Sequence, residues 1–235
     1  IGGGTSDFSL VRLSPDRALR ADRRGDILAT GGVHIGGTDF DKYLSLDAAM
    51  PLLGYKTLFK NNSEIPSSYY FNLATWHTIN QAYTRKAAAQ LEDLVRDARE
   101  PAKLIRLQNL IEDRSGHWLA MKMEEGKIAL SDAASATLDL DRLSPREALT
   151  VQRDRFEAAT GHLVLSCEQA VTSMLAEAGV APASVDTVFF TGGSSGVPML
   201  RERLGALLPK ARKVEGDLFG SIGAGLALDA VRKFG

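Results

Sequence analysis

Strand-like alternation gathers near the two ends of this chain, while residues 73 to 131 between them carry apolar side chains at helical steps of three and four. At the front, Asp7 to Leu13 alternates Phe8, Leu10 and Arg12 against Ser9, Val11 and Leu13. Ala18 to Arg24 and Asp26 to Thr30 continue as two shorter strands around Gly25. An antiparallel meander is predicted. At the back, Thr187 to Phe190 reads as a strand, Gly192 to Gly196 as a loop and Val197 to Leu208 as a helix with Pro198 in its first turn. Lys210 to Val214 then reads as a strand and Phe219 to Arg232 as a helix. The two ends are expected to pair into one sheet with helices on its face.

The middle has its own punctuation. Thr38 is expected to cap a helix through Phe40, Tyr43, Leu44, Ala48 and Leu52, stopped by Gly54, and residues 55 to 72 read as loop. Ala87, Leu91, Leu94, Val95 and Ala98 mark one helical face and Leu104, Leu107, Leu110 and Ile111 a second, with a break near Pro101. Ala134 to Leu140 reads as a strand, Ser144 to Glu147 as a turn with helix-starting character, and Val151 to Ala178 as one long amphipathic helix ended by Gly179. The predicted class is α/β: residues 1–36 and 159–235 form one lobe, and residues 37–158 form an inserted, mostly helical lobe.

Charge and cysteine content exclude several functions. With 28 basic and 29 acidic residues there is no net field to attract a nucleic-acid backbone. The arginine-dense run Arg17, Arg20, Arg23 and Arg24 is interleaved with Asp16, Asp22 and Asp26, as on a solvated surface. No apolar run approaches the length of a membrane span. The expected partners therefore include neither nucleic acid nor membrane. Cys167, the single cysteine, excludes an internal disulfide and fits a reducing, cytoplasmic setting; its apolar neighbours predict burial. His34, His77, His117 and His162 are too scattered for a zinc site. Asp39 and Asp41 read as helix-start acids, and Trp76 and Trp118 as core anchors of the helical lobe.

Two glycine clusters carry the chemistry, because a backbone without Cβ can approach phosphate oxygens and turn several N–H groups toward them. Gly2-Gly3-Gly4-Thr5 runs directly into a strand, and no Walker pattern is present. Gly192 to Gly196 joins a strand to a helix, where unpaired N–H groups and the helix dipole favour an anion. Thr5 adds a hydroxyl and Asp7 a carboxylate two residues on, which places both on the same side of the strand. A carboxylate beside phosphates commonly acts through the water shell of Mg²⁺.

The segment Ile1-Gly-Gly-Gly-Thr-Ser-Asp7-Phe8-Ser9 resembles the second phosphate motif of the DnaK-type heat-shock chaperones, in the actin-like ATPase superfamily. Leu28-Ala-Thr-Gly-Gly-Val-His34-Ile-Gly-Gly37-Thr-Asp39-Phe-Asp41 resembles the segment that follows that motif. Thr191-Gly-Gly-Ser-Ser-Gly-Val-Pro198 is similar to the adenosine motif, and Gly216-Asp217 with Ile222-Gly223-Ala224-Gly225 to the second connecting helix. Tyr70-Phe71-Asn72-Leu73-Ala74-Thr75-Trp76-His77 is similar to the divergent YegD-type branch.

The resemblance implies an actin-like ATPase (ribonuclease H-like) lobe that binds ATP or ADP with Mg²⁺. Gly3, Gly4 and Thr5 would contact the β- and γ-phosphates, and Asp7 would hold a Mg²⁺-bound water, so that Thr5 and Asp7 are the implied catalytic pair. Gly36 and Gly37 would shape the neighbouring turn, and Gly192, Gly193 and Ser194 would lie along the adenosine and α-phosphate. Glu124, Lys127 and Ser131 match the family's Glu-x-x-Lys-x-x-x-Ser spacing for ribose and adenine, and Asp217 matches an acidic residue near the nucleoside.

Some family features are absent. Ile128 and Gly196 stand where the family has adenine-sandwiching arginines, which puts adenine specificity in question. The family's Asp before the position of Ile1, its first phosphate loop and its catalytic lysine are not in this sequence, so the opening reads as a cut inside a motif. The implied partner is the N-terminal half of the same ATPase domain. The chain by itself is then expected to be catalytically inactive, since phosphoryl transfer depends on positioned charge. A nucleotide-exchange factor or co-chaperone is a further implied partner. Two other functions fit the same residues: a non-hydrolysing protein-interaction module, and a sugar or acetate kinase of the same superfamily.

Overall fold

The computed structural model describes residues 1–18, 20, 22–216 and 220–234. In chain order the main elements are β1 (Ser6–Val11), the one-turn helix α1 (Pro15–Ala18), β2 (Ile27–Val33), α2 (Gly37–Leu44), α3 (Ser68–Ala74), α4 (Arg85–Asp97), α5 (Pro101–Glu112) and α6 (Gly116–Asp132). They continue with β3 (Ser135–Leu140), β4 (Glu147–Gln152), α7 (Arg153–Glu177), β5 (Thr187–Phe190), α8 (Pro198–Ala206), β6 (Arg212–Glu215) and α9 (Ser221–Phe234). Two compact units result: Ile1–Gly37 with His162–Gly235, and Thr38–Gly161.

In the first unit β1 and β2 form an antiparallel hairpin, Ser6 opposite Val33 and Leu10 opposite Ala29, with a bulge at Leu10/Val11. The expected middle strand of a meander, 18 to 24, does not form among the described residues. Instead Asp26, buried, accepts hydrogen bonds from Arg17 and Arg23, at 2.5 and 3.0 Å, and these draw the segment into α1 and a 3-10 turn at Arg24–Asp26. The two guanidinium groups hold the Asp26 carboxyl below its ordinary pKa. At the other end β5 and β6 lie parallel, joined through α8, as a β-α-β crossover.

The expected single sheet is also corrected. Among the described residues the β1–β2 and β5–β6 ladders are separate. A cavity of about 950 Å³ is lined by Phe8 and Leu10 of β1 and by Val188 and Phe190 of β5, with Val171 and Met174 of α7 also in its wall. Helix α7 lies close on β2, where a Cβ at Gly31 would sit 3.3 Å from the Met174 side chain. Cys167, on the same helix, is fully buried as predicted, and that burial raises its thiol pKa.

The second unit packs helices around Phe40, Tyr70 and Phe156, all at most 1% exposed. Phe40 and Phe156 meet with ring centroids 6.2 Å apart, and Tyr70 meets Tyr55 at 5.3 Å. Gly54 ends the first helical run in the left-handed region, and Pro101 opens α5 after the expected break. Three local expectations fail. Helix α3 begins at Ser68, inside the predicted loop. Trp76 is 47% exposed, edge-on to His117, so it does not anchor the core. Residues 147 to 152 form β4, which pairs antiparallel with β3 from Ser135↔Gln152 to Leu140↔Glu147. The period-two signal of β4 was present: Glu147, Leu149 and Val151 are the less exposed set, alternating with Ala148, Thr150 and Gln152.

Candidate functional site

Three glycine segments of the first unit meet at one carbonyl. Gly2 N–H donates to Thr5 O at 2.9 Å and closes a turn at the start of β1. The Gly2 carbonyl then accepts from Gly37 N–H at 2.9 Å and from Ser194 Oγ at 3.3 Å. Protein packing demands two of the surrounding glycines. A Cβ on Gly36 would fall 2.5 Å from the backbone of Gly3 and Gly4, and a Cβ on Gly192 would run into the backbone of Ile1. Gly192 also sits at φ +87°, a region that side chains disfavour.

Gly3 and Gly4 differ from these. Both are exposed, and a Cβ built on either would have no protein atom within 4 Å. Steric packing within the protein therefore does not account for glycine at these two positions, which suits close approach of a ligand. Gly193 is exposed and Ser194 buried at the start of the 3-10 turn Gly193–Gly196, which leads into α8 through Val197 and Pro198. Ser195 Oγ closes that turn by donating to Gly192 O at 2.7 Å.

Thr5 Oγ1 donates to Asp7 Oδ2 at 2.8 Å on an exposed side of the strand. Between them Ser6 turns inward, fully buried, and donates to Ile35 O at 2.7 Å, while Cys167 Sγ approaches Ser6 Oγ at 3.8 Å. Strand alternation thus puts the hydroxyl–carboxylate pair outside and anchors it from inside. No cluster of three or more His, Cys, Asp or Glu groups suited to a metal exists among the described residues. The hard oxygen atoms of Thr5 and Asp7 suit the water shell of Mg²⁺, an ion usually held by few protein ligands together with phosphate oxygens.

In the second unit α6 carries Glu124, Lys127 and Ser131. Glu124 is exposed, and Ser131 is half-buried with its Oγ 3.5 Å from Lys127 O. Lys127 is buried: its Nζ lies 2.9 Å from both carboxylate oxygens of Asp41 on α2, donating its hydrogen bond to Oδ2. Asp41 Oδ1 is left without a hydrogen bond despite the short distance. Burial pushes the Asp41 carboxyl up to about 6; Lys127 pulls it down, and Glu124 and Asp39 push it further up. No local pattern signals this pairing, because Asp41 resembles any helix-start acid and its partner is 86 residues away. Helix α6 is fixed at its far end by Arg153, whose Nε donates to Leu130 O at 2.8 Å and whose second nitrogen donates to Ser131 O at 3.2 Å. Ile128, 59% exposed, follows Lys127 on the same helix. Asp217, expected near the nucleoside, lies outside the described residues.

The family model for "Hsp70 protein" matches residues 95–230, more than half of the chain. The chain belongs to the Hsp70 family. Among Hsp70-family relatives, Chaperone protein HscA of Escherichia coli O17:K52:H18 (strain UMN026 / ExPEC) is 27% identical over 238 residues, covering 97% of this chain and 27% of the relative. Chaperone protein HscA of Serratia proteamaculans (strain 568) is 26% identical with the same coverage. Chaperone protein DnaK of Mycoplasmopsis agalactiae (strain NCTC 10123 / CIP 59.7 / PG2) is 30% identical over 112 residues, 44% of this chain and 19% of the relative. The chain spans about a quarter of the length of the HscA chaperones it matches. Family membership implies an actin-like ATPase fold, and the mixed helices and small sheets are consistent with it. No helix among the described residues is long and apolar enough to cross a membrane.

Proposed function

We propose that this chain is the ATP/ADP-binding half of an Hsp70-type ATPase domain, and that the intact protein hydrolyses ATP to drive lobe closure. In this reading residues 1–36 and 159–235 form the actin-like lobe, and residues 37–158 form the inserted helical lobe, of a YegD-like member. The carrying observation is the glycine corner. Gly36 and Gly192 are required by the protein's own packing, whereas a Cβ on Gly3 or Gly4 would meet no protein atom within 4 Å. Gly3, Gly4 and Thr5 would receive the β- and γ-phosphates through N–H groups and a hydroxyl, with Gly36 and Gly37 supporting the turn from behind.

Asp7 would orient a Mg²⁺-bound water, and the metal would supply neutralisation of phosphate charge. Gly192, Gly193 and Ser194 would run along the α-phosphate and adenosine, and Glu124, Lys127, Ser131 and Asp217 would serve the nucleoside. With isoleucine and glycine at 128 and 196, base stacking is weaker than two arginines provide, and discrimination between adenine and guanine nucleotides is correspondingly low. The N-terminal half of the same domain and an exchange factor or co-chaperone are the proposed partners, in a cytoplasmic setting.

Titration calorimetry of the complete protein with Mg·ADP tests the reading, together with ADP release on its incubation with ATP. Binding that Gly3→Val abolishes, without loss of the fold, is expected. No heat of binding at millimolar nucleotide overturns the proposal and leaves the interaction module. Family membership speaks against the kinase.

A further inference from the structure

The roles implied for Glu124, Lys127 and Ser131 leave Asp41 out, yet the ammonium of Lys127 rests against its carboxylate. The lysine side chain is 9% exposed and the carboxylate 15%, and the ammonium lies 2.9 Å from each oxygen. An unpaired lysine side chain samples many rotamers and loses that freedom whenever it meets a ligand. A carboxylate fixed on a neighbouring helix removes most of that cost before the ligand arrives. Both supports are packed against the core. Helix α2 buries Phe40 and Leu44 in the core, and Gly126 lets α6 lie against β3, where a Cβ would meet Leu138 at 3.0 Å.

We propose that Asp41 is a positioning residue for nucleoside binding, holding Lys127 on α6 so that affinity for nucleotide falls when the Asp41 carboxylate is neutralised. This rests on the nucleotide-binding reading above. The charged groups facing Asp41 are Lys127 and Glu124 from α6 and Asp39 from its own helix. Because burial raises the Asp41 carboxyl to about 6, the carboxylate is ionised at pH 7 and protonated at pH 5. Acidification therefore removes the attraction to Lys127 in the wild type.

The test measures Mg·ADP affinity of the complete protein from pH 5 to 7.5, for wild type, Asp41→Asn and Asp41→Glu. Titration of the nucleotide's own terminal phosphate is common to all three and cancels in their ratio. Wild type should bind roughly tenfold more tightly than Asp41→Asn at pH 7.5 and converge on it at pH 5, the loss expected when one long side chain must be ordered by the ligand. Asp41→Glu should recover part of the affinity and of its pH dependence, a recovery that general loss of packing does not produce. If Asp41→Asn does not fold, the wild-type profile is compared with that of Lys127→Met, which should lack the additional loss of affinity through pH 6. Equal affinity and equal pH profiles in wild type and the variants overturn the positioning role alone. Wild type that binds no ADP at any pH overturns the nucleotide reading and this role with it.

Discussion

The glycine corner of the first unit and the Lys127–Asp41 pair of the second are candidate binding features built from opposite materials. The corner is made of main chain: Gly2 O collects Gly37 N–H and Ser194 Oγ, and its tolerance is set by where a Cβ does not fit. The pair is made of side chains: one ammonium and one carboxylate, each on its own helix, in a setting that penalises either alone. A main-chain site is fragile to added volume and indifferent to pH. A buried ion pair is fragile to the loss of a partner and answers to protons.

The largest expected effect is on the pair. Lys127→Met should destabilise the protein by about 3–5 kcal/mol at pH 7, because an uncompensated carboxylate remains buried. Adding Asp41→Leu should restore most of that loss, and urea unfolding of the single and double variants measures both. If the double variant is no better than the single one, the pair is not an isolated electrostatic unit.

The pH response comes next. The Asp41 pKa is raised in the folded state, so the fold binds the proton more tightly than the unfolded chain does. Its contribution is full below the unfolded value near 4 and is lost as pH rises through about 6. The stability of wild type minus that of Asp41→Asn should therefore fall by about 2 kcal/mol between pH 4 and 7. A flat difference would place the carboxyl at an ordinary pKa.

In the corner, Gly36→Ala should cost about 1–3 kcal/mol, since its Cβ meets fixed backbone at Gly3 and Gly4 and not a movable side chain. That cost should not vary with pH from 5 to 8, in contrast to the pair. The smallest effect is expected for Ser195→Ala, which removes one hydroxyl bond to Gly192 O, at about 1 kcal/mol in thermal unfolding.

The same contrast explains what could be read in the sequence. Glycine runs are visible without a structure, so the segments around Gly3, Gly36 and Gly193 could be chosen in advance, and the Gly2 carbonyl does bring them together. The helices of the middle were legible from their apolar steps, with stops at Gly54 and Pro101. Asp41 was not legible as a partner of Lys127, because no local pattern distinguishes a carboxylate that turns inward. Strand β4 was misread because Pro145 and Glu147 resemble a helix start, which masked the alternation that follows. Among the described residues of 18 to 24 no strand forms, and the two arginine partners of Asp26 hold the neighbouring turns instead, against a weak strand propensity.

That last staple bears on the order in which the chain folds. Arg17 and Asp26 are nine residues apart and Arg23 and Asp26 three, so both contacts close short loops, and together they bring β2 back beside β1. Short loops close quickly and at small entropic cost. The hairpin is thus held by contacts local in sequence, whereas the rest of the first unit, from His162 on, has to be recruited across the whole of the second.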